Sequence, residues 1–130
     1  MSTEDQPFDI SDLRRIARQD LHGNTATVAI DERDENGGTH HYVTVATDGS
    51  GTVLQNISFQ RGPVKEVGLN GIQNETLLAV VADRLEGFQA GPYACDDNAE
   101  ALALIDQAID VLNRRTRTRI ARGVEGTYAK

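Results

Sequence analysis

A run of arginines near the C-terminal end is the part of the sequence best suited to binding chemistry. Five arginines occur between residues 114 and 122: Arg114, Arg115, Arg117, Arg119 and Arg122. From Arg114 onward the chain has six basic side chains and one acidic side chain, Glu125, so the local charge is +5. The preceding 113 residues have seven basic and nineteen acidic side chains, which gives a charge of −12. A guanidinium presents planar, paired donors that match phosphate and carboxylate oxygens. The run therefore predicts an anion site on an otherwise acidic protein.

Helical phase divides these arginines into two groups. At about 100° per residue, Arg115, Arg119 and Arg122 share one stripe beside an apolar seam. Arg114 and Arg117 point elsewhere. The alternative is that all five are solvated cations complementing the helix dipole, which contributes about 0.3 to 1 kcal/mol each; periodicity alone leaves both interpretations open. Because the acidic body repels long polyanions, any anionic partner is predicted to be small rather than a long nucleic acid.

Two further residues, Phe88 and Asn98, could complete such a site. Both lie at the turn between two predicted helices, whereas Arg115 and Arg119 lie about 25 to 30 Å further along the second helix at 1.5 Å per residue. A complete site would therefore need two chains, with the turn of one meeting the arginines of another. The alternatives are core packing for Phe88 and a surface or helix-start role for Asn98.

The elements that must position these residues are predicted to form an α+β fold in one domain, residues 1–130. A short N-terminal helix is expected in "DISDLRRIARQDLHG", where apolar residues recur at three-to-four spacing. Three β-rich runs, 25–30, 40–47 and 52–59, predict a small antiparallel β-meander, with Asn36-Gly37 suited to a tight hairpin turn. Their alternation predicts one apolar face that includes Val53, Ile57 and Phe59. Helix and meander together are expected to fill residues 8–72.

A long C-terminal antiparallel helical hairpin is predicted for about residues 73–122. Its first helix is "NETLLAVVADRLEGFQ", with Asn74 able to cap its start and Gly91 able to take the left-handed position after its end. The second helix begins at about Asp96 and carries apolar residues in near-heptad register: Leu102, Ile105, Ile109 and Leu112. A seam of this length in a small chain predicts a homo-oligomer.

Several other kinds of chemistry have little support in the sequence. His40 and His41 are adjacent and would point to opposite sides of a strand, so no metal site is predicted. Cys95 has no adjacent basic partner and precedes two aspartates, which disfavours a nucleophile. No cofactor and no enzymatic activity are therefore expected. No apolar run reaches the roughly 20 residues of a membrane span, and "MSTEDQPFDI" lacks the features of a leader, so a cytoplasmic location is predicted.

Three stretches of the sequence resemble a known family. "NISFQRGPVKEVGLNG", "FQAGPYACDDNAEAL" and "RRTRTRIARGVEGT" are similar, in this order, to the conserved blocks of the phage Thoeris anti-defence sponges. The helical hairpin is shared with the anti-CBASS sponges, and the strands before it match the Thoeris branch. The resemblance covers about residues 8 to 127.

This resemblance implies a protein that binds cyclic nucleotide immune signals and sequesters them intact in the infected bacterial cell. The implied principal ligand is a cyclic ADP-ribose isomer, with cyclic di- or trinucleotides at separate sites, and the implied assembly is dimers that build a hexamer as a trimer of dimers. The implied ligand contacts are Phe88, stacked on a base, Asn98 as a polar contact, and Arg115 and Arg119 as phosphate clamps. Alanine at either arginine is then expected to abolish capture without unfolding. Two alternatives are a nucleic-acid-binding accessory protein that uses the arginine stripe and a cyclic-nucleotide phosphodiesterase.

Overall fold

The structure, a computed structural model, describes residues 9–16 and 21–130, and in them the chain forms four strands followed by three helices. The elements in order are β1 Arg14–Arg15, β2 Thr25–Ala29, β3 His41–Ala46, β4 Val53–Ser58, α1 Val64–Val67, α2 Asn74–Gln89 and α3 Asp96–Ala121. This confirms the predicted α+β class. The chain divides into two compact units, Met1–Phe59 and Gln60–Lys130, so the turn-rich segment after β4 belongs with the helices.

Strands β2, β3 and β4 form the predicted antiparallel meander, and β1 adds a fourth strand that was not predicted. They pair in the order β1-β2-β3-β4, and the register places Ala26 opposite Val45 and Val28 opposite Val43. These four side chains are buried and form the core of the sheet, with Val28 completely inaccessible. Three partly buried residues pack against them: Ile10, Leu13 and Ile30. Alternate residues of β2 and β3 therefore supply one apolar face, as the period-two pattern predicts.

A β-bulge in β4 changes the face that its second half presents. The pairing of β3 with β4 shifts register so that Leu54 is the extra residue. Beyond the bulge, Ile57 lies opposite Tyr42, and the Phe59 ring meets the Tyr42 ring edge-on with centroids 5.9 Å apart. Because one inserted residue reverses the alternation of a strand, Ile57 and Phe59 lie on the face opposite the core. The prediction of one apolar face shared with Val53 is wrong.

The predicted short N-terminal helix is also wrong for the residues that the structure describes. Arg14–Arg15 form an edge strand on β2, and the N–H of Ile16 donates to the carbonyl oxygen of Thr27 at 3.0 Å. The three-residue spacing of Ile10 and Leu13 forms a turn instead, closed by a 3.1 Å hydrogen bond from Leu13 N. Short helices gain little without tertiary packing, and strand pairing satisfies this backbone instead. Residues 17–20 of the predicted helix lie outside the described residues, and Leu21 and His22 form a turn.

Carboxylates organise the connection between β2 and β3. Asp31 accepts hydrogen bonds from the backbone N–H groups of His40 and His41 at 3.0 and 2.8 Å. Asp34 accepts from the His40 ring at 2.7 Å and from the backbone N–H of Asn36 at 2.9 Å. Gly37 takes the positive φ expected of a turn, 92°, whereas Asn36 does not. The connection is therefore a loop built on side-chain acceptors rather than the tight two-residue turn predicted.

Asp31 is expected to make the first unit sensitive to acid. Burial raises the pKa of Asp31, but the hydrogen bonds from His40 and His41 outweigh it and hold the pKa below its ordinary value. The stabilisation is therefore present above the unfolded pKa of about 3.9 and is lost as the pH falls through the lower folded pKa. Asp31→Asn is expected to lower the free energy of unfolding at pH 7 by about 1 kcal/mol, a value reduced for solvent screening.

Urea unfolding of the variant and the wild type at pH 7 and at pH 3 measures this effect. Glu35→Gln is the matched control, since Glu35 lies exposed in the same loop and loses the same charge. An Asp31→Asn protein as stable at pH 7 as the control protein would contradict the prediction.

The helical hairpin has the predicted boundaries. α2 spans the predicted stretch Asn74–Gln89, and α3, Asp96–Ala121, begins at the predicted residue and ends next to the predicted limit of the hairpin. The two helices pack against each other. The near-heptad residues of α3 are all half-buried along the seam: Leu102, Ile105, Ile109 and Leu112. Among the described residues, no helix is long and apolar enough to cross a membrane.

The ends of α2 differ from the prediction in two details. Gln73 occupies the N-cap position and makes no side-chain cap bond, so Asn74 is already inside the helix. Gly91 does not adopt a positive φ. The Gln89 side chain closes the turn instead, accepting from Cys95 N at 3.0 Å and donating to Cys95 O at 3.1 Å. This reciprocal pair holds the turn together without a left-handed glycine.

Candidate ligand-binding site

The four predicted site residues occupy the two ends of the helical hairpin. α3 runs without interruption for 26 residues, a length of about 39 Å at 1.5 Å per residue. Asn98 lies in its first turn and Arg115 and Arg119 lie in its last two turns. The structure therefore keeps the arginines away from Asn98 and Phe88 within one chain.

At the turn end of the hairpin, Phe88 lies on the surface rather than in a core. The residue is 38% exposed, which disfavours the alternative of core packing. The Arg84 guanidinium lies 5.1 Å from the centroid of the Phe88 ring, a cation–π contact across one helical turn. Sequence reasoning missed Arg84, although its position four residues before Phe88 on a helix was the available indication.

Asn98 lies beside this end, half-buried, in an acidic helix start. Asp96 and Asp97 occupy the first turn of α3, where carboxylates complement the positive end of the helix dipole. The side-chain amide of Asn98 has no hydrogen-bond partner within the part of the chain that the structure describes. The turn end thus offers an aromatic ring with the Arg84 guanidinium beside it and a polar amide beside two carboxylates, groups that suit a base and a hydroxyl group.

At the other end of α3, Arg115 is available to a ligand. Its side chain is exposed, and within residues 9–16 and 21–130 the structure gives it no hydrogen bond or ion pair. Arg114 and Arg117 are exposed as well, but helical phase places them away from the Arg115 stripe. Arg115 is therefore a free guanidinium in the position where the sequence predicts an anion contact.

Arg119 differs sharply from Arg115, although the two lie one turn apart on the same stripe. The residue is only 9% exposed, and its Nε donates to the Glu125 carboxylate at 3.1 Å. Its Nη1 and Nη2 groups donate to three backbone carbonyls, those of Val124, Thr127 and Ala129. Removing this side chain would take the Arg119 donor away from the Glu125 carboxylate and from the carbonyl oxygens of Thr127 and Ala129, which is costly where these groups are shielded from water. The expectation that Arg119→Ala leaves the fold intact therefore does not agree with the structure.

Several hydrogen bonds hold the residues that follow α3. The backbone N–H of Lys65 in α1 donates to Gly126 O at 3.0 Å. Gly126 has a positive φ of 78°, and a Cβ atom there would lie 2.8 Å from Lys65 Cγ. Arg122, which follows α3, donates from Nη1 to Lys130 O at 2.7 Å. Glycine at this position indicated a specific backbone path, but not which helix residue the path would enclose.

The helical hairpin is shared with a defined family of proteins. The family profile described as "Acb2/Tad1, hairpin domain" matches residues 52–117, half of the chain, from the start of β4 into the last turns of α3. The chain belongs to this family, and the match confirms the family resemblance predicted from the sequence.

A named relative narrows the comparison. The chain is similar to Thoeris anti-defense 1 of Bacillus phage SBSphiJ7, with 46% identity over 94 residues. The aligned region covers 72% of this chain and 65% of that protein, so the chain spans just under two thirds of the relative's length.

Proposed function

We propose that this protein is a phage anti-defence sponge that binds cyclic nucleotide immune signals and holds them without cleaving them. The observation that supports this proposal is that the two ends of the hairpin differ: the turn end has an exposed aromatic residue, and the opposite end has an arginine without a partner among the described residues. Kinship with a protein named for Thoeris anti-defence supports Thoeris immunity as the target. The proposed principal ligand is a cyclic ADP-ribose isomer, with cyclic di- or trinucleotides, the signals of CBASS, at separate sites. The place of action is the cytoplasm of the infected bacterium.

The proposed residue roles follow the chemistry of each end. The exposed ring of Phe88 stacks on a base, and the amide of Asn98 supplies a polar contact to the base or ribose. Arg115 and Arg119 clamp the phosphates, because a guanidinium matches phosphate oxygens in geometry and charge. A cyclic ADP-ribose isomer carries a base, ribose hydroxyls and two phosphates, so it has a partner for each of these groups.

We further propose that the complete site lies between two chains. α3 separates its two ends by more than the span of one such ligand, so the turn end of one hairpin must meet the arginine end of another. An antiparallel arrangement brings the acidic start of one α3, with Asp96 and Asp97, beside the cationic end of its partner. This complementarity favours the contact and suppresses the parallel alternative.

The surface of the hairpin supports such an assembly. Several large apolar side chains of α2 and α3 are exposed in the single chain: Val80, Val81, Leu104, Val111 and Ile120. Within α2 the one buried residue is Ala82, so the pair of helices leaves much of its apolar surface open to solvent. Contiguous exposed apolar surface is typical of faces that a partner covers. We propose dimers that build a hexamer as a trimer of dimers.

The expected affinity requires no catalytic group. A nanomolar site corresponds to roughly −12 kcal/mol. Base stacking contributes about 1 to 3 kcal/mol, and charge-assisted hydrogen bonds to two phosphates contribute about 1.5 to 3 kcal/mol each. Exclusion of water between subunits supplies the remainder in this proposal. Each site removes one signal molecule, so copy number rather than turnover sets the capacity.

A capture-and-release experiment tests the proposal against both alternatives. The protein is incubated with a panel of cyclic ADP-ribose isomers and cyclic oligonucleotides, separated from free ligand, and heat-denatured. We expect the released material to be chemically intact by mass spectrometry and to come from at least one cyclic ADP-ribose isomer. Fragments in place of intact ligand would identify a phosphodiesterase.

The same preparation distinguishes the remaining alternative. A nucleic-acid-binding protein would prefer long single or double strands, with affinity that falls steeply as salt rises. Retention of long strands, with none of the small cyclic nucleotides retained, would contradict the sponge proposal.

A further inference from the structure

The guanidinium of Arg119 lies in a socket made by the residues that follow α3. An arginine has five N–H donors, and four of those of Arg119 are engaged. Nε donates to Glu125 Oε2 at 3.1 Å, Nη2 to the carbonyl oxygens of Val124 and Thr127 at 3.0 and 3.1 Å, and Nη1 to that of Ala129 at 2.7 Å. One Nη1 hydrogen remains, and three of the four acceptors are uncharged. The socket therefore fixes the plane of the guanidinium and leaves one of its donors unengaged.

The socket is anchored independently of the guanidinium that it holds. We call residues 123–130 the C-terminal strap. At its start, Gly123 adopts a positive φ of 74°, and Val124 N donates to Arg119 O at 3.0 Å, which ends the helix. Further on, Gly126 O accepts from Lys65 N in α1, where only glycine fits against the Lys65 side chain. The strap is thus part of the folded second unit and presents its acceptors in a preformed arrangement.

The contrast with Arg115 shows what such a socket does for binding. The long, exposed side chain of Arg115 must be immobilised when a ligand arrives, and this ordering reduces affinity. Arg119 is already immobilised, so its contact with an anion costs little further conformational entropy. Glu125 is the one charged member of the socket, and with 38% of its side chain exposed its charge is partly screened by water. Glu125 therefore orients the cation more than it neutralises it.

We propose that Glu125 is a positioning residue, which acts through the C-terminal strap to hold Arg119 ready for a phosphate of the ligand. The inference rests on the proposed function, because it assigns a role to the same site. In this proposal, the side chain of Arg115 becomes ordered when the ligand binds, whereas the guanidinium of Arg119 is already in place. The shared chemistry of the ligand is a phosphodiester or pyrophosphate small enough to meet both guanidinium groups.

Calorimetry with the cyclic ADP-ribose isomer that the wild type binds most tightly tests the proposal. Glu125→Ala is expected to raise the dissociation constant about tenfold, which is the scale of one charge-assisted hydrogen bond. Glu125→Gln is expected to stay within about threefold of the wild type, because its amide oxygen still accepts from Nε. Glu66→Ala is the matched control, since Glu66 is exposed in α1 and loses the same charge. Thermal unfolding of each variant is recorded alongside.

A double-mutant cycle separates positioning from a purely structural role. In an Arg119→Gln background, Glu125→Ala is expected to cause no further loss of affinity, because the residue through which it acts is gone. An equal loss in both backgrounds would overturn the proposal. Wild-type affinity in Glu125→Ala with a lowered unfolding temperature would overturn it too, as would tighter binding, which would identify the strap as a competitor of the ligand.

Two provisions keep the outcomes separate. If Glu125→Ala does not fold, Glu125→Asp is measured instead, because it keeps the charge but shortens the side chain by one methylene. Binding by Glu125→Asp is expected to be several-fold weaker than binding by the wild type. Unchanged binding would overturn the inference. A wild type that binds none of the cyclic nucleotides would instead contradict the proposed function itself. That result differs from a wild type that binds and variants that bind equally well.

Discussion

Arg115→Ala is expected to weaken ligand binding by at least about 100-fold while leaving the unfolding temperature within about 2 °C of the wild type. The loss corresponds to two charge-assisted hydrogen bonds to phosphate, about 1.5 to 3 kcal/mol each. The fold is spared because Arg115 is exposed and makes no hydrogen bond or ion pair within the described residues. Arg119→Ala provides the contrast, since it removes a buried, four-bonded side chain and is expected to lower both affinity and stability.

Calorimetry and differential scanning fluorimetry together measure both effects. Arg117→Ala is the matched control: it removes the same charge from an exposed position two residues away, on the opposite side of the helix. The control is expected to bind within about twofold of the wild type. Equal affinities for Arg115→Ala and Arg117→Ala would remove Arg115 from the site and favour the interpretation of a solvated cationic helix end.

Two inactive variants are expected to restore each other when combined. Phe88→Ala removes the aromatic end of the proposed site, and Arg115→Ala removes the cationic end. In a symmetric two-chain site, a mixed dimer places the intact Phe88 of one chain beside the intact Arg115 of the other. With random pairing, half of the dimers are mixed and each has one intact site, so about a quarter of all sites should bind at wild-type affinity.

Co-expression of the two variants with different affinity tags tests this restoration. Purification through both tags isolates the mixed dimer, in which about half of the sites should bind. Each variant purified alone is the control and is expected to show no tight binding. Mixed dimers that remain inactive would show that the two ends do not act across a subunit boundary.

The sequence predicted the helices of the hairpin more accurately than any other element. Long amphipathic patterns with clear breaks specify both the helix and its buried side, and the half-buried positions Leu102, Ile105 and Ile109 are those the heptad pattern selected. Strands β2 and β3 of the meander were predicted almost as well, because their alternation leaves little choice of face. The separation of Asn98 from the arginines followed directly from helix length.

The predictions that failed depended on interactions that leave no periodic pattern in the sequence. Arg14–Arg15 lie within a helix-like pattern, yet they pair with β2 because an edge of the sheet was available to them. The bulge at Leu54 exchanges the faces on which the following side chains of β4 lie, and the amino-acid composition of the strand gives no sign of it. Arg119 has the helical phase of a surface residue, yet it is buried by backbone carbonyl groups of the residues that follow α3. The periodicity of side chains does not indicate the path that this backbone takes.

The unbroken length of α3 has a consequence for how capture depends on the amount of protein. Under the proposed function, a lone chain carries two halves of different sites and no whole one. At concentrations below the dimer dissociation constant, the number of working sites would then rise with the square of the chain concentration, and in proportion to it once dimers saturate. The protection that such a protein gives would begin at a threshold of expression rather than increase evenly with each copy made.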